Sequence, residues 1–108
     1  MKEFNEEYIE KLNEIIDQKD ENALKDEIKD MHPADIAELV EDLDIDEALF
    51  LLKLVDDEVA ADVLIELDED QRHDLLEQMP NESIARKLEL MDANDAVDVI
   101  QELDEEDR

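Results

Sequence analysis

An apolar pattern recurs every twelve residues from residue 36 to residue 104, and it limits the possible folds more than any other feature. Six repeats start at Ile36, Ala48, Ala60, Arg72, Ile84 and Ala96. Two of them nearly coincide, AADVLIELD (60–68) and AVDVIQELD (96–104). The fifth residue of each repeat is apolar, and so is the eighth: Val40, Leu52, Leu64, Leu76, Leu88 and Ile100, then Leu43, Val55, Leu67, Met79, Met91 and Leu103. A fixed period of this kind is typical of repeat proteins.

Each repeat predicts one short amphipathic helix. Positions one, four, five and eight of a repeat lie on one side of an α-helix, and in the third repeat they are Ala60, Val63, Leu64 and Leu67. A helix of about ten residues is roughly 15 Å long and is not stable alone, so its apolar side must pack against neighbouring repeats. The sequence therefore predicts a superhelical, solenoid-like array of helices, with Leu64 buried in it.

The ninth residue of the repeats marks the turns. It is Asp44, Asp56, Asp68, Pro80, Asp92 and Asp104 in order. An aspartate there can cap the next helix, because its carboxylate accepts hydrogen bonds from free backbone N–H groups at the positive end of the helix dipole. At Pro80 we expect the cap to move one residue on, to Asn81. At Asp104 we expect another cap and first turn, which suggests that the sequence is a fragment of a longer chain.

The residues before the repeats predict two further helices. The first spans residues 1–17 with Phe4, Tyr8, Leu12, Ile15 and Ile16 on its apolar side, and the second runs from the cap residue Asp20 to about Asp30. His32-Pro33 marks the boundary, since proline suits the first turn of a helix. We therefore expect one all-α domain of about eight helices over residues 1–108, with N-terminal helices at 1–31 and the repeat array at 32–104.

Two repeats depart from the apolar pattern. Arg72 and His73 occupy positions that are mostly apolar elsewhere, and Lys87 replaces an apolar residue at the fourth position of its repeat. We expect these repeats to lie at an edge of the stack, where long charged side chains extend to water.

Charge excludes several partners. The chain has 38 acidic and 10 basic residues, for a formal net charge of −28. Nucleic acid and anionic lipid are therefore poor partners, whereas cations, metal ions and basic protein surfaces are plausible ones. No apolar run of about eighteen residues is present, so no direct membrane insertion is expected.

The sequence contains few residues that could act as catalytic nucleophiles. Cys, Thr and Gly are absent, and the single serine, Ser83, has no histidine near it in sequence. The calcium-loop spacing of Asp42, Asp44 and Asp46 lacks the glycine and glutamate that such a loop requires. His73 and Glu77 form a helical i, i+4 pair, but a zinc site needs three or more protein ligands. We do not expect an enzyme.

A group of oxygen ligands stands out in the last repeat. Asn94 and Asp98 are one helical turn apart, Asp95 and Asp98 are i, i+3 neighbours, and Asp62 holds the same repeat position as Asp98. Mg²⁺ keeps most of its waters and takes one or two carboxylates per site, so such residues suit it. An acidic helix shows similar groupings without any ion, and solvated side chains are the alternative.

The stretch from residue 32 to residue 104 resembles the cytosolic N-terminal domain of MgtE magnesium transporters. The resemblance is carried by HPADIAELVEDL, AADVLIELDEDQRHDLLEQM and ANDAVDVIQELDEED. It implies a superhelix of short helices that precedes a pair of CBS domains and a membrane channel, in a parent protein that is expected to be a homodimer. It also implies that Mg²⁺ between the N domain and the CBS domains holds the pore closed, and that this chain is a soluble part of a transporter at the cytoplasmic face of the membrane.

The resemblance also implies where the sensor acids fall. They correspond to Asp62, Asn94 and Asp98, with Asp95 adjacent, and Asn94 is neutral where an acid is expected. Because the CBS ligands are absent from this chain, we expect weak Mg²⁺ binding by the isolated domain. Single Leu/Asp-rich repeats also look like the helical domains of the flagellar switch protein FliG. The alternative function is therefore an acidic helical-repeat interaction module with no ion role.

Overall fold

A computed structural model describes the backbone of residues 5–106, with side chains as far as Leu103. This part of the chain contains eight α-helices and no strand, which confirms the all-α prediction and the number of helices. The helices are α1 (Glu6–Asp17), α2 (Glu21–Ile28), α3 (Pro33–Glu41), α4 (Ile45–Leu54), α5 (Asp57–Glu66), α6 (Glu69–Glu77), α7 (Asn81–Glu89) and α8 (Ala93–Glu106). The superhelical winding stays a prediction.

Side-chain caps begin several of the helices, as the sequence predicted. The carboxylates of Asp20 and Asp68 accept hydrogen bonds from the N–H groups of Ala23 and Gln71, at 3.1 and 2.8 Å. Asp44 precedes α4, and its N–H donates to Glu47 Oε1 at 3.0 Å. Asp56 holds the N-cap position of α5, although its side chain makes no capping hydrogen bond.

Two predicted caps are wrong. The N-cap of α7 is Pro80 and not Asn81, because the Pro80 carbonyl already accepts from the N–H groups of Ser83 and Ile84. Asp104 does not begin a new turn, since α8 runs through it to Glu106. After the equivalent aspartates earlier in the chain, the next segment forms a helix that packs on the array. No such helix packs on α8 in the part of the chain that the structure describes, so helix propagation through Asp104 meets no competing structure.

The helices pack in two interleaved rows. In the repeat region α3 packs on α5 and α5 on α7, while α4 packs on α6 and α6 on α8. The N-terminal α1 and α2 pack on each other and on α4. Each helix from α3 to α6 therefore contacts the helix two places further along the sequence.

The fourth residue of each repeat lies deepest in this packing. It is buried in all six repeats: Leu39, Leu51, Val63, Leu75, Lys87 and Val99. The fifth residue is buried in the first four repeats, but Leu88 is only partly buried and Ile100 is 45 % exposed. The expectation that Ile100 faces the core is therefore wrong, because in the part that the structure describes α8 has no helix two places ahead of it.

The two N-terminal helices join through a glycine-free turn. Lys19 has φ of 55°, and the N–H groups of Lys19 and Asp20 donate to the carbonyls of Ile16 and Ile15, the hydrogen-bond pattern that ends many helices.

A side-chain hydrogen bond also joins α1 to α2: the Tyr8 hydroxyl donates to Glu27 Oε2 at 2.9 Å. Burial, together with the neighbouring Glu27 carboxylate, raises the pKa of Tyr8 to about 12.

Between residues 5 and 106, none of the helices is both long enough and apolar enough to cross a bilayer.

Leu64 should be a strong determinant of stability, because its side chain is fully buried as predicted. We expect Leu64→Ala to lower the free energy of unfolding by about 2–5 kcal/mol, from lost burial and the cavity that remains. Leu90→Ala is the matched control, since Leu90 is 50 % exposed, and it should change stability by less than about 0.5 kcal/mol. Urea unfolding followed by circular dichroism measures both, and equal effects would contradict this packing.

Candidate functional site

The four predicted ligands lie on the outer surface of two helices. Asp62 is exposed on α5, opposite the buried Val63 and Leu64. Asn94 and Asp95 stand in the first turn of α8 and Asp98 one turn later; Asn94 and Asp98 are exposed and Asp95 is half-buried. The outward orientation of Asp62 and Asp98 follows from their shared third position in the repeat, next to the buried fourth residue.

The start of α8 places three of these residues near one another along the helix. The Ala96 N–H donates to the Asp92 carbonyl at 2.9 Å, so the helix begins directly after Asp92. Within residues 5–106, however, no group of three or more histidine, aspartate or glutamate side chains is arranged to hold a metal ion. The assignment of Asp62, Asn94, Asp95 and Asp98 as Mg²⁺ ligands stays a prediction.

Arg72 connects the helices that carry these residues. Its Nε and Nη2 donate to Oε2 and Oε1 of Glu102 on α8, at 2.9 and 2.6 Å. Its Nη1 donates to the carbonyls of Leu64 and Leu67 at the end of α5, at 3.0 and 2.8 Å. The side chains of Arg72 and Glu102 are only 11 % and 18 % exposed. One guanidinium thus donates to carbonyls at the C-terminal end of α5 and binds a carboxylate on α8.

A second ion-pair cluster joins α5 to α7. Lys87 Nζ donates to Asp57 Oδ1 at 3.1 Å and to Ser83 Oγ at 2.8 Å. Arg86 Nε lies 3.4 Å from Asp57 Oδ2. The hydrogen bond from Lys87, then its charge and that of Arg86, lower the pKa of the Asp57 carboxyl.

Sequence reasoning missed both clusters. Arg72 and Lys87 were expected at an edge of the stack with their charges in water, and this expectation is wrong. The Lys87 side chain is only 7 % exposed, and its ammonium donates to Ser83 and to Asp57, whose side chain is 41 % exposed. One feature of the sequence could have indicated these ion pairs: in both, the two charged partners are thirty residues apart, Asp57 before Lys87 and Arg72 before Glu102.

The basic residues of the array gather in one region. Residues 32–103 contain four, and three of them, Lys53, Arg86 and Lys87, line a groove of about 390 Å³ between α4 and α7. The fourth is Arg72. No lysine or arginine lies within four residues, along the sequence, of Asp62, Asn94, Asp95 or Asp98.

His73 and Glu77 form the helical i, i+4 contact that their spacing predicts. His73 Nε2 lies 2.9 Å from Glu77 Oε1, across one turn of α6. The pair belongs to no cluster of three metal-ligating side chains in the described part of the chain.

The α5–α7 cluster predicts an asymmetry between its two partners. We expect Asp57→Asn to destabilise the protein more than Lys87→Met, because the first leaves a buried ammonium without its carboxylate and the second replaces that ammonium by a methionine of similar size. The folded-state pKa of Asp57 is lowered. The ionised Asp57 carboxylate therefore stabilises the folded protein at pH values above its unfolded-state pKa near 3.8. This stabilisation is lost as the pH falls through the lower folded-state pKa.

Urea unfolding of wild type and both variants at a series of pH values tests this asymmetry. The difference in the free energy of unfolding between wild type and Asp57→Asn should be largest at neutral pH and become smaller in acid. A difference that stays constant down to the lowest pH, or a larger loss in Lys87→Met, would contradict it.

Comparison with known proteins identifies the family to which this array belongs. A family model described as the MgtE intracellular N domain matches residues 31–108. No curated protein sequence gives a significant match to the chain. The matched region includes α3 to α8, and with them both ion-pair clusters and all four predicted ligands. Because the match extends over well over half of the sequence, the chain belongs to the MgtE N-domain family and is the intracellular N domain of a magnesium transporter.

Proposed function

We propose that this domain senses Mg²⁺ for the transporter of which it is a part. The observation that carries the proposal is the pair of exposed carboxylates Asp62 and Asp98 at the third repeat position of α5 and α8, in a family that serves magnesium transport. Glu38 and Asp74 fill the same position of α3 and α6 with exposed acids. Asn94 and Asp95 add oxygen ligands within one turn of Asp98. Carboxylate and amide oxygens are the hard ligands that Mg²⁺ takes, and exposed ones leave room for the waters that it keeps.

Repulsion between acidic surfaces supplies the mechanism. A domain with net charge −28 resists close approach to another acidic surface, and a divalent cation held between the two relieves that repulsion. The partner surface in this proposal belongs to the CBS domains of the same transporter. Because the ligands of the CBS domains are absent from the isolated domain, Mg²⁺ binds that domain weakly. In the whole transporter Mg²⁺ binds more tightly and favours the closed pore.

The energy available is sufficient for gating. A ligand at about one hundred times its dissociation constant stabilises the bound state by about 2.7 kcal/mol, which shifts a two-state balance about a hundredfold. A cytosolic rise in Mg²⁺ can therefore move most of a population from open to closed if the domain binds Mg²⁺ only in the closed arrangement.

A second candidate function is contact with another protein without an ion. Leu90, Val97 and Ile100 are each between 45 % and 50 % exposed at the end of α7 and on α8. An exposed apolar surface of this kind favours protein association. It is distinguished from ion sensing by whether the association requires Mg²⁺.

Replacement of the three predicted acids tests ion sensing. In the full-length transporter, Asp62, Asp95 and Asp98 are changed together to Ala, and protease protection of the cytosolic part is followed against Mg²⁺ with ionic strength held constant by NaCl. We expect the triple variant to need far more Mg²⁺ than wild type. The matched control changes three other exposed acids that do not hold the third repeat position, Glu41, Glu69 and Glu89, which removes the same charge and should leave the midpoint unchanged. Protection of the triple variant over the wild-type range would mean that these acids are solvated side chains only.

Asn94→Asp should act in the opposite direction. A carboxylate at this position adds one negative ligand oxygen to the first turn of α8, so we expect protection at lower Mg²⁺ than in wild type. The same substitution also stabilises the helix terminus by about 0.3–1 kcal/mol through the helix dipole. Thermal unfolding without Mg²⁺ measures that effect separately. An unchanged or higher Mg²⁺ midpoint would exclude residue 94 from the site.

A further inference from the structure

We infer that Arg72 is a positioning residue for the Mg²⁺ response, which fixes α8 with Asn94, Asp95 and Asp98 relative to α5 with Asp62. The inference rests on the proposed function. It starts from the fact that Arg72 lies on α6 and bears no ligand oxygen, yet one guanidinium contacts both helices that carry the predicted ligands.

The geometry of this contact is specific to arginine. Nε and Nη2 form a two-pronged contact with both oxygens of Glu102, while Nη1 points to the carbonyls of Leu64 and Leu67. A planar guanidinium can hold a carboxylate and a helix C-terminus at the same time, because its five N–H donors have fixed directions. A lysine ammonium is a point charge on a flexible stem and does not fix the relative orientation of two helices in this way.

Few of the α8 side chains that the structure describes, as far as Leu103, are buried. Val99 is buried and Leu103 is partly buried, but Val97 and Ile100 are 50 % and 45 % exposed. By comparison, α5 contributes the buried Ala60, Ala61, Val63 and Leu64 to the core. The shielded ion pair between Arg72 and Glu102 is therefore, with Val99 and Leu103, one of the attachments of α8 among its described residues.

This attachment matters for a shared ion response. Ligands on two helices bind an ion tightly only when the helices already keep a fixed relative position. Conformational freedom that remains must be lost when the ion binds, and this loss weakens the binding. Removal of Arg72 should loosen α8 and raise the Mg²⁺ needed for closure, although no ligand has been changed. Changes of this kind between linked sites commonly amount to about fivefold or more in affinity.

The test compares Arg72→Met with Lys87→Met in the full-length transporter. Both remove a largely shielded cation that links helices two places apart, but the hydrogen bonds of Lys87 go to Asp57 on α5 and Ser83 on α7. We expect Arg72→Met to raise the Mg²⁺ midpoint for protease protection about fivefold, Arg72→Lys to recover only part of that loss, and Lys87→Met to leave the midpoint unchanged. Hydrogen exchange without Mg²⁺ should be faster in the amides of α8 for Arg72→Met and unchanged in those of α3.

Glu102→Gln tests the same link from α8 and leaves the contacts of Arg72 with α5 in place. We expect a smaller rise in the midpoint, and this variant decides the matter if Arg72→Met fails to fold. A midpoint that stays within twofold of wild type in the folded Arg72 or Glu102 variants would overturn the inference, as would equal rises in Arg72→Met and Lys87→Met. Failure of the proposed function is distinct, because the triple acid variant would then respond to Mg²⁺ like wild type.

Discussion

The fold depends on burying one side chain per repeat between helices two places apart. Leu39, Leu51 and Val63 are completely buried in this position, and even Lys87 is only 6 % exposed. No helix of the array is long enough to be stable alone, so each exists because its neighbours cover its fourth and fifth residues. The outward-facing third residue, which includes Asp62 and Asp98, is held in place by this burial. Positions that could bind an ion are therefore set by packing that contains no ion ligand.

Along the array the packing changes from apolar to ionic. The first three repeats bury only apolar side chains at their first, fourth and fifth positions, whereas the later repeats place Arg72 and Lys87 there. Removal of one partner of an ion pair that is shielded from water is costly, because the remaining charge is left uncompensated. The C-terminal half is therefore more sensitive to nearby charge than the N-terminal half, and three of the four predicted Mg²⁺ ligands lie in it.

Much of the fold could be predicted from the sequence because a period of twelve fixes both the length of a helix and the side that it buries. The same period predicts that Asp62 and Asp98 face outward, since each adjoins a buried residue. It could not predict the environment of Lys87, because a period describes the average position and Asp57 comes from a helix thirty residues away. It also could not predict the exposure of Ile100, which depends on whether another helix covers α8. Whether the four ligands share an ion depends on surfaces outside this chain.

The pairing of helices two places apart also affects how the chain folds during synthesis. The helix α3 begins at Pro33 and α5 at Asp57, so the partners of each contact are separated by 24 residues. Contacts that are this local form quickly, in microseconds to milliseconds for helical proteins, whereas a ribosome needs about 1–5 s to add 24 residues. Each helix can therefore meet its partner soon after that partner emerges. The apolar packing of the first three repeats would then form before the ionic half has been synthesised, so the C-terminal helices would add to a preformed surface.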